Sequence, residues 1–437
     1  MKKFLAIALS IFMLVSIAAC AASPEQLAQP EQSAANGETE LTGGTLTIWC
    51  WDPAFNVFAM QEAARIYQEI NPGFEINIVE MEWYGIQTAL TTAATAGTHD
   101  VLPDIVLIQD NAFQMSVMTF PEIFTDLTNT GIPFNEFAPA KVGMSMVDGR
   151  NFGVPFDNGT TITALRTDIL AEAGYTMADF ENITWNEFIQ LGRSVLAQTG
   201  MPLLSTVSGG GDYVAAMLQS AGASLFNPDG SPNIAGNPII LEVVNVYLEL
   251  VNSGVLLEVN NWDEYIGSFV NGTVAGTMAG CWILGSVQSA EDQAGNWGVT
   301  SIPRLNIPEG TNYSNWGGSS WAITSNANVE LAVDFLRHTF AGSIELYEII
   351  LPAAGALSTW SPAASSIVYT EPQEFFGGQA VFADIVRFSA NVPAIDTGLF
   401  FYEARDAVSF AMVDILGGAN VEQALQQAHD NLAFQIG

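Results

Sequence analysis

The sequence predicts an α/β fold divided into two domains, on three observations. Leu46 to Trp51 reads as a buried strand, Asn56 to Asn71 carries helical spacing of its apolar residues, and Phe74 to Met81 alternates as a second strand. That order, completed within about forty residues, is a parallel crossover unit. The chain has 437 residues, and the body that follows its N-terminal segments, about 400 residues long, exceeds what one hydrophobic core supports. Past Phe152, a short strand to Phe156 runs through Asp157-Asn158-Gly159 into a further extended stretch, Thr160 to Arg166. Such a path fits a crossing from one domain to another, with a surface hairpin as the plain alternative.

At the N-terminus, Lys2 and Lys3 precede an apolar run from Phe4 to Val15, and Ser16-Ile17-Ala18-Ala19 leads into Cys20. This is the layout of a secretory signal, and the run is too short for a permanent transmembrane helix. Small residues directly before Cys20 resemble the lipobox of bacterial lipoproteins, in which the cysteine becomes the diacylated first residue. The expectation is a leader over 1–19, lipidation at Cys20 and a spacer over 20–44. Ala, Gln, Glu, Pro, Ser, Thr and Gly dominate that spacer, which has no aromatic residue and reads as flexible. The body would then be held to the membrane by lipid alone.

After Trp51, Asp52-Pro53 turns the chain out of the sheet, and Pro72-Gly73 closes the first helix. A helix from Tyr84 to Ala96 leads to Leu102-Pro103-Asp104-Ile105-Val106-Leu107-Ile108, a third buried strand ending at Gln109-Asp110-Asn111. In an open sheet of this kind, ligands gather beyond the carboxyl ends of the strands. Trp51-Asp52, Glu82-Trp83 and Asp110-Asn111 follow three successive strands and should meet at one edge. Each alone also reads as a strand-end cap or a packed ring; their convergence points to a ligand.

Asp148-Gly149-Arg150 is a tight turn, and a helix from Asp168 to Gly174 follows the extended stretch. Thr184 with Glu187 three residues on forms a capping box for a helix continuing to Ala197. Gly209-Gly210-Gly211 lacks the Lys and Ser/Thr of a phosphate loop, so it either presents Tyr213 or caps the next helix. Asn227-Pro228-Asp229-Gly230 is a turn, and Pro238 to Ser253 an amphipathic helix. Small residues fill Phe269 to Trp282, read as a strand that brings Trp282 to its end. Gly295 to Val299 and Ile302-Pro303 lead into Ser314 to Ile323, where Trp316 and Trp321 flank Gly317-Gly318. That pair lets the backbone turn sharply or lie against a ligand; the bland alternative is a glycine turn beside two core tryptophans. A helix from Val329 to Phe340 follows. Mixed helical segments carrying Trp360, Phe376, Phe400-Phe401-Tyr402 and Arg405 close the chain.

Charge narrows the function. The chain carries 46 acidic against 11 basic residues, a net of -35, and would be repelled by phosphate backbones, which argues against nucleic acid as a partner. An anionic ligand is disfavoured too, since its recognition normally recruits Arg or Lys. Beyond Lys2 and Lys3, Lys141 is the only lysine. A neutral polyol fits better. His99, His338 and His429 are isolated and the cysteines are unpaired in spacing, so neither a metal nor another cofactor is expected.

These residues together resemble an extracellular solute-binding protein of a sugar ABC transporter, in the broad group that includes maltose-binding protein. The resemblance covers nearly the whole body. It rests on Leu46-Thr47-Ile48-Trp49, Leu102 to Val106, Phe152-Gly153-Val154-Pro155, Phe269 to Trp282, and Ser314 to Ile323, in that order, behind a lipobox. It implies a two-lobed, periplasmic-binding-protein-like α/β fold with hinge crossings at Asp157–Thr161 and Asn315–Ser319, closing over an interlobe cleft. Lobe one would hold 45–156 plus about 318–350, and lobe two 157–317 plus about 351–437. By position, Trp282 matches a tryptophan that stacks on sugar, Phe401 a second stacking ring, and Asp110 or Asn111 an acidic residue that accepts from sugar hydroxyls. The stretch Asn315 to Trp321 is similar to that of members for arabinose, lactose or oligosaccharides. The implied partners are a neutral mono- or oligosaccharide and the subunits of an ABC permease, with the protein itself a monomer.

A pyranose offers an apolar C–H face and a rim of hydroxyls, so it calls for flat aromatic surfaces with planar acceptors and donors. The candidate ligand residues are Trp51, Asp52, Trp83, Asp110, Asn111, Asp157, Tyr213, Trp282, Trp316, Gly317, Trp321 and Phe401; no covalent step is required. Two other readings stay open. A secreted glycoside hydrolase would need a carboxylate pair at fixed separation, which no local motif singles out, and an adhesin would bind carbohydrate without a transporter. Cys50 and Cys281 are either a bridge, which would lock opposite lobes, or two buried thiols.

Overall fold

The computed structural model describes residues 43–437; the expected leader, the lipobox with Cys20 and nearly all of the spacer lie outside them. The opening crossover unit forms as the apolar pattern predicts. Strand β1 (Gly44–Cys50) pairs in parallel with β2 (Phe74–Glu80) along its whole length, and at Ile48 and Trp49 with β3 (Ile105–Gln109). Between β1 and β2, Asp52 accepts from the Ala54 amide at 2.9 Å and caps a π turn over Pro53–Val57, which runs into the helix Phe58–Ile70. That helix buries Ala59, Ala63 and Tyr67, four residues apart, against the sheet.

A small hairpin follows, β4 (Met146–Val147) and β5 (Arg150–Asn151), turned at Asp148 and Gly149 with φ of 49° and 74°. Beyond it, what reads in sequence as two extended pieces is one strand, β6 (Gly153–Arg166). Farther on lie β7 (Leu204–Val207) and β8 (Leu256–Val259), a separate parallel pair, then β9 (Gly276–Gly280), β10 (Trp297–Thr300) and β11 (Asn315–Ile323). The main sheet runs β10-β6-β11-β3-β1-β2, with β9 also on β6.

The two lobes share this sheet through β6. Its first part, from Gly153 to Thr160, pairs with β11, which in turn pairs with β3; its later part pairs with β9 from Thr161 and with β10 from Thr163. The handover falls between Thr160, opposite Asn315, and Thr161, opposite Gly280. Here β11 places one extra residue between Asn315 and Gly318 opposite the β6 step from Thr160 to Asn158, a bulge that bends the strand. Gly317 and Gly318 take φ of 82° and 105°, a backbone that side-chain-bearing residues rarely adopt. A third segment joins them: the Asn158 amide donates to Leu357 O at 3.2 Å, and Asp157 bridges Ser358.

Apolar side chains gather on both sides of the handover. Leu46, Ile48, Tyr67, Trp321, Phe335 and Tyr347 fill one face of β1–β3, and Trp83, Ile86, Ile108 and Phe113 the other. In the second lobe, one core forms around Trp185, Tyr213, Tyr247 and Met412, and another around Ile162, Phe269, Trp297 and Phe382.

The structure departs from the sequence reading in three places. Phe269 and Val270 end a helix, Trp262–Val270, because Asn261 caps it by accepting from the Glu264 amide at 2.9 Å; the strand before Trp282 is only β9. Asp110 and Asn111, read as the end of the third strand, open a helix, Asp110–Thr119, and the strand stops at Gln109. The Gly317-Gly318 pair bends a strand from within and is not a turn. Cys50 and Cys281 are two buried, unpaired thiols. Burial pushes the Cys50 thiol up to about 12, and the Cys281 thiol upward as well.

The handover is sensitive to a single methyl group. A Cβ at Gly318 would stand 2.6 Å from Asp110 Oδ2 and 2.9 Å from Lys141 Nζ. Gly318→Ala should therefore lower unfolding stability by at least about 1–3 kcal/mol, the scale of local backbone strain, measured by denaturant titration. An unchanged midpoint would mean that the bulge does not need glycine.

Candidate functional site

The parallel strands β1, β2 and β3 deliver three of the expected clusters to one edge. Trp51 follows β1 and Trp83 opens the helix after β2, and their rings meet edge to face with centroids 5.6 Å apart. The Asn56 side-chain oxygen accepts from the Trp51 and Asp52 amides at 3.0 and 3.1 Å, which fixes the turn after β1. Trp51 and Asp52 are half-buried, whereas Trp83 is buried. Burial raises the Asp52 carboxyl above its ordinary range against the pull of the Ala54 amide.

Beneath this edge lies a buried polar network. Lys141 Nζ donates to Asp110 Oδ2, Ser320 Oγ donates to Asp110 Oδ1 at 3.0 Å, and Ser319 Oγ donates to Asp157 Oδ1 at 2.6 Å. Asp110 and Asp157 are buried, and Gly318 is in contact range of both ion-pair atoms. Burial pushes the Asp157 carboxyl up to about 6, opposed by Lys141 and Ser319 and reinforced by Asp110. Burial also raises Asp110, with Lys141 opposing it. Two buried carboxylates thus lie in the field of one ammonium, which is paired with Asp110, at the point where β6 and β11 leave the first lobe. Asp110 and Asp157 serve that junction and do not face outward; of the pair left open in sequence, Asn111 is the half-buried one.

In the second lobe, rings run in series. Tyr213 and Trp316 meet edge to face at 5.6 Å, Trp316 and Trp282 at 6.5 Å, and Trp282 and Trp262 lie 5.7 Å apart. Trp282 Nε1 donates to Trp316 O at 2.9 Å, so the ring after β9 is pinned to the strand crossing. Trp282 packs against cores of both lobes, and with Trp316 and Gly317 is half-buried.

Two expected ligand residues are interior, and the readings of them are corrected. Tyr213 is 0% exposed and donates to Ser205 O at 3.0 Å, because Gly210-Gly211 caps the helix Gly211–Ser220 and turns the ring inward. Trp321 is 0% exposed and packs on Phe156 and Phe340 at 5.4 Å each, since β11 is enclosed between β3 and β6 by that point. Phe401 stands apart, lining a crevice of about 10 Å³ with Ala215, Leu218 and Ile395.

Residues that the sequence reading did not single out join the lobes. Tyr402, on the helix Phe401–Leu416 of the second lobe, donates to Gln109 Oε1 at the end of β3 and lies 6.4 Å from the Trp83 ring. Arg405, one turn on, donates to Tyr84 OH at 2.5 Å, to Asp212 at 3.1 Å and to Asp406 at 2.7 Å, with its guanidinium 4.7 Å over the Tyr402 ring. The sole signal in sequence was the Tyr-x-x-Arg spacing on one helix face; Gln109 and Tyr84, their partners across the lobes, lie 293 and 321 residues upstream.

Comparison with known proteins agrees with this architecture. The family model described as "Bacterial extracellular solute-binding protein" matches residues 62–364. A lactose-binding protein of Rhizobium radiobacter is 38% identical over 399 residues, covering 91% of this chain and 94% of the relative. An arabinooligosaccharide-binding protein of Bacillus subtilis (strain 168) is 21% identical over 456 residues, covering 100% and 99%. Among solved structures, the ABC transporter associated binding protein from B. animalis subsp. lactis Bl-04, in complex with beta-1,6-galactobiose, superposes with a TM-score of 0.76 at 19% identity. That match covers 90% of this chain and 97% of the other and shows the shared two-lobed fold.

The buried network sets a pH dependence. The folded chain keeps the Asp157 proton to higher pH than the unfolded chain, so this contribution to stability is full below the ordinary carboxylate range and lost as pH rises through about 6. Asp157→Asn should flatten that fall, by about 3 kcal/mol at most between about pH 4 and about pH 6.5, in denaturant midpoints. A wild-type-to-variant difference that stays constant across the window would show that Asp157 titrates as an ordinary carboxylate.

Proposed function

The chain belongs to the bacterial extracellular solute-binding protein family, and we propose that it binds a neutral saccharide between its lobes and hands it unchanged to an ABC permease. One observation carries this reading. The junction offers half-buried indoles from both lobes, Trp51 on one side and Trp282 with Trp316 on the other, while the two cations there are already neutralised. Lys141 is held by Asp110, and Arg405 by Asp212 and Asp406. Flat apolar surface without a free positive charge suits an uncharged ligand with C–H faces. Asn111 and the second oxygen of Asp52 are the hydroxyl partners in this reading.

The names of the relatives, lactose-binding and arabinooligosaccharide-binding, favour a short neutral oligosaccharide, and the 38% identity puts a galactose-containing disaccharide first. Hydrolysis is disfavoured because the buried carboxylates of the junction are tied to Lys141 and Ser319 and are not presented to a bond between sugars. In this reading lobe one is 45–156 with about 318–350, lobe two is the remainder, and closure bends Asp157–Thr161 and Asn315–Ser319. Cys20 carries the lipid, the spacer gives reach, and the protein works as a monomer on the outer face of the cytoplasmic membrane. No helix among the described residues is long and apolar enough to cross a membrane.

Titration by intrinsic fluorescence and calorimetry against lactose, maltose, arabinose oligosaccharides and galacturonate tests this. A neutral member should bind at micromolar concentration or below, galacturonate should not, and no reducing ends should be released. Trp282→Ala should weaken binding by about tenfold and lower the unfolding midpoint while leaving a cooperative transition, since the ring also packs on both lobes, and Trp282→Phe should retain more of both. Turnover of any member of the panel would replace the binding reading with the hydrolase.

A further inference from the structure

The two lobes also meet where no ligand is needed to join them. Tyr402 and Arg405 lie three residues apart on the helix Phe401–Leu416, so both side chains leave one face of it. That helix belongs to the second lobe, where its Ala404, Val408 and Met412 sit in the core around Trp185 and Tyr247. The Tyr402 ring packs elsewhere, against the first-lobe core of Trp83, Ile108 and Phe113. Its hydroxyl donates to Gln109 Oε1, and one turn on, Arg405 donates to the Tyr84 hydroxyl at 2.5 Å.

Arg405 has little left to offer a ligand. Nε and Nη2 donate to Asp406 Oδ1 at 3.0 and 2.7 Å, Nη1 donates to Asp212 Oδ1 at 3.1 Å, and Nη2 also reaches Tyr84, so all three nitrogens are engaged by protein. Asp212 and Asp406 belong to the second lobe, as Arg405 does, and they hold the guanidinium 4.7 Å over the Tyr402 ring. Only the bond to Tyr84 crosses, from a fork already aimed before the lobes meet. Opening the lobes would break both crossing hydrogen bonds and withdraw the Tyr402 ring from apolar contact, so these groups favour closure by themselves.

We propose that Tyr402 and Arg405 are positioning residues for binding: a latch outside the saccharide that draws the lobes together and strengthens binding of every ligand the junction accepts by one common factor. The ligand rests on the saccharide reading above, while the latch itself is made of protein alone. The common factor follows from two-state closure. Where only the closed form encloses the sugar, apparent affinity scales with the closed fraction of the ligand-free chain, whatever the sugar. The junction then decides which saccharide binds, and the latch how tightly and for how long.

Tyr84→Phe and Tyr402→Phe each delete one hydroxyl of the latch and keep its ring, and the double variant deletes both crossing bonds. Calorimetry with lactose, maltose and arabinose oligosaccharides should show a loss of about three- to tenfold for each single variant, equal within about twofold across every sugar that wild type binds, and a larger loss for the double variant. Spin labels at Ile70→Cys and Phe434→Cys, exposed on the two lobes, in a chain carrying Cys20→Ser, should show that the ligand-free double variant has lost short interlobe distances relative to wild type. An unchanged ligand-free distribution in the double variant overturns the latch whatever the affinities do. A loss confined to one sugar overturns it too, because the hydroxyls would then be ligand contacts. If wild type binds no member of the panel, the saccharide reading falls, and the ligand-free distribution alone decides the latch.

Discussion

A single strand must satisfy its backbone hydrogen bonds in two lobes at once, and much of the molecule is arranged around that constraint. Strand β6 is paired with β11 as far as Thr160 and with β9 from Thr161, so the change of partner falls between adjacent residues, with Gly159 alone skipped at the bulge. Unpaired buried amides and carbonyls are costly, which is why the change of partner is abrupt. The bulge in β11 and the positive φ of Gly317 and Gly318 bend the second strand at the same level. In the proposed closure, rotation of one lobe against the other is confined to these few residues.

Charge reinforces that geometry. Lys141, the only lysine outside the N-terminal pair, is buried beside Asp110 and within the field of Asp157. A lone buried carboxylate would be expensive, and a pair sharing one ammonium is tolerable only with further hydrogen bonds, which Ser319 and Ser320 supply. Each hydroxyl of the Ser-Ser pair after the glycines therefore satisfies one of two carboxylates, carried by β6 and by the helix after β3. An arrangement of this kind favours one register of β11 over its neighbours, because a slip by one residue would exchange the faces on which the hydroxyls lie.

How much of this was legible in sequence differs from residue to residue. The crossover of β1 and β2 was, since apolar period and turn residues agree there, and so was the capping box at Thr184, where the Glu187 amide donates to the Thr184 hydroxyl at 3.3 Å. The convergence of Trp51 and Trp83 followed from parallel strand order alone. Trp316 and Trp321 could not be separated that way. They sit five residues apart around a glycine pair, and which of them turns inward depends on bulges that no local pattern announces. For Gly209-Gly210-Gly211 the sequence offered two outcomes, presenting Tyr213 or capping a helix, and the choice for the cap depends on the Tyr247 ring packed against Gly210. Tyr402 and Arg405 were out of reach altogether, their meaning lying in Gln109, Trp83 and Tyr84 on the opposite lobe.

The proposed function has the two lobes close about the β6 and β11 crossings when a neutral saccharide binds. Its most direct test is an interlobe distance distribution from spin labels at Ile70→Cys and Phe434→Cys, exposed positions at 60% and 91% on the two lobes, in a chain carrying Cys20→Ser. Cys50 and Cys281 are buried and will not compete for label. Saturating saccharide should collapse a broad distribution onto one shorter distance, and galacturonate should leave it unchanged. A distribution that stays the same at saturation would contradict the account.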